Sequence, residues 1–254
     1  MPPAPGGFPD ASTTGPNGTL TAYTGPLTIT TAGTVIANRQ INGCIRIEAP
    51  RVIIRNSRIA CNNFYGVYSP TVRATADRAL LEDVEIDCLR SNGTGVVGHS
   101  IIVRRADIHD CENGAHADQF MTIEHSWIHA PFNGNGAHAD GVQVSIGLRG
   151  MVLFHNRIEI PNGTSTLIAD VAIHSMTVDS NFLSGGSYTL YCSTSFSSFE
   201  TVTNNVWLAS ERQPAANDYP YRPFTLCDKS GTTFTGNTWS DGRPLTKDPA
   251  THVD

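Results

Sequence analysis

The chain has 254 residues, 39% of them hydrophobic, and a net charge of −6, which is ample length to bury a core. Two lysines, Lys229 and Lys247, stand beside fifteen arginines, so there is no basic footprint for DNA or RNA. No apolar stretch approaches the ~20 residues of a membrane-spanning helix, so no membrane span is expected.

Residues 1–28 are rich in Pro, Gly, Thr and Ser and lack periodicity, and they read as an extended arm or cap. No positively charged segment followed by an apolar run opens the chain. The expectation is that Met1 replaces a removed leader, or that the chain reaches the outside by another route, such as release in a virus particle.

From 29 to 242 one motif recurs: hydrophobic, polar, polar, Asn or Ser, variable, hydrophobic. It occurs at Ile36 to Ile41, Ile54 to Ile59, Leu81 to Ile86, Val103 to Ile108, Ile123 to Ile128, Leu153 to Ile158, Val178 to Leu183, Val202 to Trp207 and Phe234 to Trp239. The starts lie 18 to 32 residues apart, the step of a solenoid coil. The units are short, rich in Ile, Val, Thr and Phe and bounded by Gly, Asn, Asp and Ser, with no 3.6-residue stripe, so the repeat is β rather than helical. The predicted fold is an all-β parallel β-helix of about nine coils. From the second unit on, the fourth position reads Ser57, Val84, Ala106, Ser126, Asn156, Asn181, Asn205 and Asn237, which predicts side chains hydrogen-bonded from rung to rung. A second apolar strand per coil is expected at 44–47, 67–68, 96–97, 142–144, 171–173, 190–192 and 226–227. Residues 243–254 are polar and read as a tail draped over the last rung.

Cys44, Cys61, Cys88 and Cys111 each follow a motif by two or three residues, so they share one corner of successive rungs. Bridges Cys44–Cys61, Cys88–Cys111 and Cys192–Cys227 are predicted, implying an oxidising, extracellular location. The alternative is six buried thiols in a reducing compartment.

Eight of the nine histidines fall between His99 and His174. A tetrapeptide is duplicated as Ala115-His116-Ala117-Asp118 and Ala137-His138-Ala139-Asp140. If adjacent rungs superpose the two copies, His116, Asp118, His138 and Asp140 form a catalytic cluster flanked by Gln143 and His174. Otherwise these are turn formers and their neighbours. The residues just after the motifs give a second stripe, Asp87, His109, His129 and Glu159, readable as a ligand and substrate row or as a charge-compensated ladder. Arg55, Glu82, Arg104 and Glu124 alternate in sign and read as surface pairing. Insertions at 62–78, 131–140 and 211–222 bring loop aromatics, and Tyr219 and Arg222 join the substrate-binding candidates. No cofactor is expected and no metal ligand set is resolved, calcium being the one ion kept open.

The segment Gly7-Phe8-Pro9-Asp10-Ala11-Ser12-Thr13-Thr14-Gly15-Pro16, followed by coils such as Ile54-Arg55-Asn56-Ser57-Arg58-Ile59, resembles the right-handed, single-stranded parallel β-helix superfamily over roughly residues 30 to 240. Within it the chain looks like extracellular bacterial β-helix proteins and bacteriophage tail or minor virion proteins. The superfamily includes pectate-lyase-like enzymes, but the Asn-x-Asp, Asp-Asp, Gly-His-Gly and Arg-x-Lys set of its polygalacturonase-like hydrolases is missing here, as is a clear grouping of calcium-binding acids with a basic residue. The resemblance therefore implies fold strongly and activity weakly. The expectation is an extracellular or virion-associated protein that recognises a polysaccharide or cell-surface glycan. The arm would meet other virion proteins, and identical chains would form a homo-oligomer. The alternatives are a polysaccharide lyase or glycoside hydrolase using the His/Asp cluster, and a glycan-binding rod without turnover.

Overall fold

The structure, a computed structural model, describes residues 6–134, 136–169, 171–192, 200–208, 222–225 and 232–246. The chain forms a parallel β-helix in which all nine motifs stack in register. Their first residues pair in one continuous ladder, Ile36, Ile54, Leu81, Val103, Ile123, Leu153, Val178, Val202 and Phe234. Their last residues pair in a second ladder, from Ile41 and Ile59 through Ile86, Ile108, Ile128, Ile158 and Leu183 to Trp207 and Trp239.

Each motif is thus two short strands joined by a bend. The third residue makes the bend, with positive φ in all nine units: Asn38, Asn56, Asp83, Arg105, His125, His155, Ser180, Asn204 and Gly236. This left-handed conformation favours Gly and short polar side chains, and six of these nine residues are of those types. The fourth residue then turns inward. Asn156, Asn181, Asn205 and Asn237 are buried, and each of the first three donates its backbone N–H and its Nδ2 to Oδ1 of the next at 2.8–3.1 Å. Their amides also donate to the carbonyls of Ile123, Leu153, Val178 and Val202. Ser126 Oγ continues the column to Ala106 N–H at 3.0 Å. The expected polar ladder is present, and it saturates donors that the bend takes out of the strand pairing.

A third ladder carries the other strands. Ile45, Val67, Val96, Ala115, Val142, Leu167 and Leu190 pair in sequence and are fully buried. The expected second strand at 171–173 is corrected to Ser165–Ala169; Val171 to Ile173 instead lies in the turn that follows, where Ala172 O accepts from Gly147 N–H. The strand Arg222–Thr225 precedes the expected 226–227, which lies outside the described residues. Likewise 62–78 is no plain insertion, because it contains the third-ladder strand Tyr65–Ser69. The second and third sheets approach closely at a glycine column, Gly66, Gly95, Gly114 and Gly141. A Cβ on Gly114 would sit 2.3 Å from Ile128 Cγ2 and 2.6 Å from Gly141 O.

Disulfides join Cys44 to Cys61 and Cys88 to Cys111, as the spacing predicts. Cys227 and the Cys192 side chain lie outside the described residues. At the far end, Arg243 to Thr246 folds back, with Thr238 bridging Pro244 in antiparallel fashion and Leu245 buried.

The N-terminal arm is strapped lengthwise along the bend between the first two sheets. Phe8 stacks on His155 at 5.6 Å and packs against Phe182 at 5.6 Å. Phe182 belongs to the outward row of the second sheet yet is fully buried, because Phe8 covers it. Further along, Gly15 N–H donates to Arg105 O at 2.9 Å, and Asn17 and Asn56 exchange hydrogen bonds at 2.6 and 3.0 Å. Solenoid pairing then begins at Thr21–Ala22, inside the segment expected to be arm.

Candidate functional site

The outward row of the third sheet is continuous from end to end. Arg46, Tyr68, Val97, His116, Gln143, Ile168 and Tyr191 pair one above another, and each is partly exposed. At the ~4.8 Å strand pitch the row spans about 29 Å. Tyr65 packs against Tyr68 at 5.0 Å near one end, with Arg46 over the Tyr68 ring at 4.9 Å, and Tyr188 packs against Tyr191 at 5.4 Å near the other. Aromatic rings thus stand at both ends of a strip whose middle offers an imidazole and a carboxamide.

At the centre, His116 Nε2 lies 2.9 Å from Ser145 Oγ. Asp118, two residues along the same strand, holds His99: the carboxylate lies 3.4 Å from His99 Nε2, while the backbone N–H of Gln119 donates to His99 Nδ1 at 3.2 Å. That second bond makes Nδ1 an acceptor, so the Nε2 hydrogen points toward Asp118. The strand opposite is bulged. Ala117 pairs with Val144 and Gln119 with Arg149, so Asp118 alone faces the four residues 145–148, and Gly147 turns there with φ 77°.

The duplicated tetrapeptides are not superposed, which corrects the expected four-residue cluster. Asp140 pairs with Asn113, five residues before Asp118. The chain between the copies includes the loop 130–139, and its length sets a different register. Asp140 is buried, accepting from Ser165 Oγ at 2.5 Å, while its backbone N–H donates to Asn113 Oδ1 at 3.0 Å. His138 is exposed on the loop, its backbone N–H donating to Glu112 Oε1 at 3.1 Å. His174 is exposed beside Arg149 at 3.3 Å. Tyr219 and the Arg222 side chain lie outside the described residues.

The second stripe forms a closed charge network on the second sheet. His109 pairs with Asp87 and His129 in register. Arg58 binds Glu85 at 2.6 Å and also Asp87. His109 faces Glu85 at 3.4 Å and Asp110 at 3.0 Å. His129 binds Asp107 at 2.8 Å and stacks on Trp127 at 3.6 Å, and Glu159 accepts from Trp127 Nε1 at 2.9 Å and Arg157 Nε at 2.7 Å. Burial pulls the His109 pKa down, but hydrogen bonds to Glu85 and Asp110 and the charges of Asp107 and Asp87 prevail and raise it to about 9. The His109 hydrogen bond in turn lowers Glu85 against its burial, with Arg58 assisting. Glu85, Asp87 and His109 could offer three ligand atoms within 4.8 Å of one another, but the Arg58 guanidinium already binds both carboxylates. The row Arg55, Glu82, Arg104 and Glu124 is in register, and Arg104 binds Glu82 at 3.2 Å and Glu124 at 2.6 Å, the surface pairing its alternation predicts.

Sequence reasoning missed Ser145 and His99, the partners of His116 and Asp118. Ser145 lies 29 residues from His116 and His99 lies 19 from Asp118, and only the register of the third ladder brings them into contact. No family model, no curated protein and no solved structure matches this chain.

Proposed function

We propose that this protein is an extracellular or virion-associated β-helix that recognises a polysaccharide along the outward face of its third sheet. The observation that carries the reading is the contrast between two faces. On the second sheet the acidic and basic side chains are engaged with one another, as in a ladder that serves stability. On the third, Tyr68 and Tyr191, each packed against a second tyrosine, share one open row with His116 and Gln143, the mixture of rings and hydrogen-bonding groups that sugar recognition uses. Two disulfides fit an oxidising location, and a repeating row suits a repeating polymer. Attachment of the arm to other virion proteins, and assembly of identical chains, belong to the same proposal.

Affinity electrophoresis against a panel of bacterial and plant polysaccharides tests the reading. At least one is expected to retard the protein, and Tyr68→Ala combined with Tyr191→Ala is expected to weaken that retention at least tenfold, since aromatic stacking contributes about 0.5–1.5 kcal/mol per pair beyond buried area. Retention unchanged in the double variant would move the site elsewhere, and no retention by any member of the panel would sink the reading. Lyase or hydrolase action is read in the same panel by ultraviolet absorbance and reducing ends.

A further inference from the structure

The strip proposed to hold glycan contains one pair of side chains arranged for covalent chemistry. We propose that Ser145 is the nucleophile and His116 the general base of an esterase that removes O-acyl groups from the bound polysaccharide, a proposal that takes its substrate from the glycan reading.

Three independent features meet at this point. The 2.9 Å separation of His116 Nε2 and Ser145 Oγ is the hydrogen-bond reach a serine needs from its base. The bulge after Val144 takes Ser145 out of the regular ladder just where Asp118 stands opposite, and bulges of this kind re-aim side chains beside active sites. Both residues are partly exposed, so an ester on a polymer lying along the sheet can reach them. Gln143, the in-register neighbour of His116, supplies a carboxamide on the same row that can donate to an acyl oxygen.

The steps balance without any cofactor. Ser145 Oγ attacks the acyl carbonyl carbon while its proton passes to His116 Nε2. The bond from that carbon to the sugar oxygen breaks, and the sugar oxygen takes the proton from His116. Water then attacks the acyl-serine and gives a proton to His116. Ser145 Oγ leaves and recovers that proton, and the acid is released. The products are a free polysaccharide hydroxyl and a carboxylic acid.

The test uses the full chain with O-acetylated polysaccharides and a fluorophosphonate probe, comparing wild type, Ser145→Ala and His116→Ala. Wild type is expected to release acetate and to carry the probe on the peptide containing Ser145. Ser145→Ala should lose both, and His116→Ala should slow acetate release about 100-fold or more. The exposed setting of both side chains leaves the fold intact, which melting curves of the variants check. Retained polysaccharide without acetate release or probe adduct overturns the esterase and leaves the glycan reading standing. A Ser145 adduct with no polysaccharide retained supports the nucleophile and overturns the glycan. Acetate release equal in wild type and Ser145→Ala overturns the assignment of Ser145.

Discussion

His109 shows how a single side chain on this surface is set by its rung neighbours. Its folded pKa of about 9 lies above the ordinary 6.5, so the native state holds the proton more tightly than the unfolded chain. The resulting stabilisation is full below pH 6.5 and is lost as pH rises through about 9. A difference of that size is worth on the order of 3 kcal/mol. Denaturant titrations of wild type and His109→Gln at several pH values should therefore show the wild type losing stability between neutral pH and the folded value, while the variant loses much less. Parallel curves would mean that the Glu85 and Asp110 contacts do not hold a charged imidazole.

Among the elements, the strapped arm makes the sharpest prediction. Phe8 covers Phe182 and His155, and His125 Nδ1 lies 3.1 Å from His155 Nδ1, a spacing at which two protonated rings repel. Burial, then the charge of His125, lowers the His155 pKa. Docking is therefore favoured above the ordinary histidine value and lost as pH falls through the lowered one. Limited proteolysis should cut the arm faster at about pH 5 than at neutral pH. Phe8→Ala, which gives up at most roughly 1.5–3 kcal/mol because Phe8 is only partly buried, should make the arm susceptible at both. Equal cutting of wild type and variant at neutral pH would refute the anchor.

That arm also marks where the sequence stops being legible. The inward positions, the Asn column and two cysteine pairs could be read because strand alternation and rung spacing are written locally in residue type. The bend at the third position shows in the motif only as a polar residue, and is disguised where Arg105, His125 or His155 occupies it. Ser165–Ala169 and the expected 171–173 are both short apolar stretches containing two β-branched residues, so residue type alone does not separate the strand from the turn beside it. The repeated His-Asp tetrapeptide misled for a related reason: identical words in adjacent coils need not share a register when the loop between them changes length. Phe8 finding Phe182 carries no periodic signature at all.

At the scale of the whole molecule, the two disulfides among the described residues lie in the N-terminal half, each closing a short span between neighbouring rungs, 17 and 23 residues apart. In the chain-entropy view each contributes about 3 kcal/mol, and in a solenoid that stabilisation acts chiefly on the rungs it joins. Reduction should therefore lower the unfolding midpoint and, in hydrogen exchange, loosen the coils around Cys44 to Cys111 more than those around Ile128 and Asn156, which no observed or predicted bridge joins. Uniform loosening along the rod would show instead that it unfolds as one cooperative block.

The Asn column has an evolutionary corollary. Because Asn156, Asn181 and Asn205 each reach to the same atom on the next, any cut and splice that joins one of these residues to the successor of another restores an identical join. Loss of Phe182 through Asn205 would leave Asn181 leading directly into Val206, one storey shorter and otherwise continuous. Gene duplication and deletion can thus change the length of this rod in whole storeys, whereas insertions of other sizes must be expelled as loops at the corners.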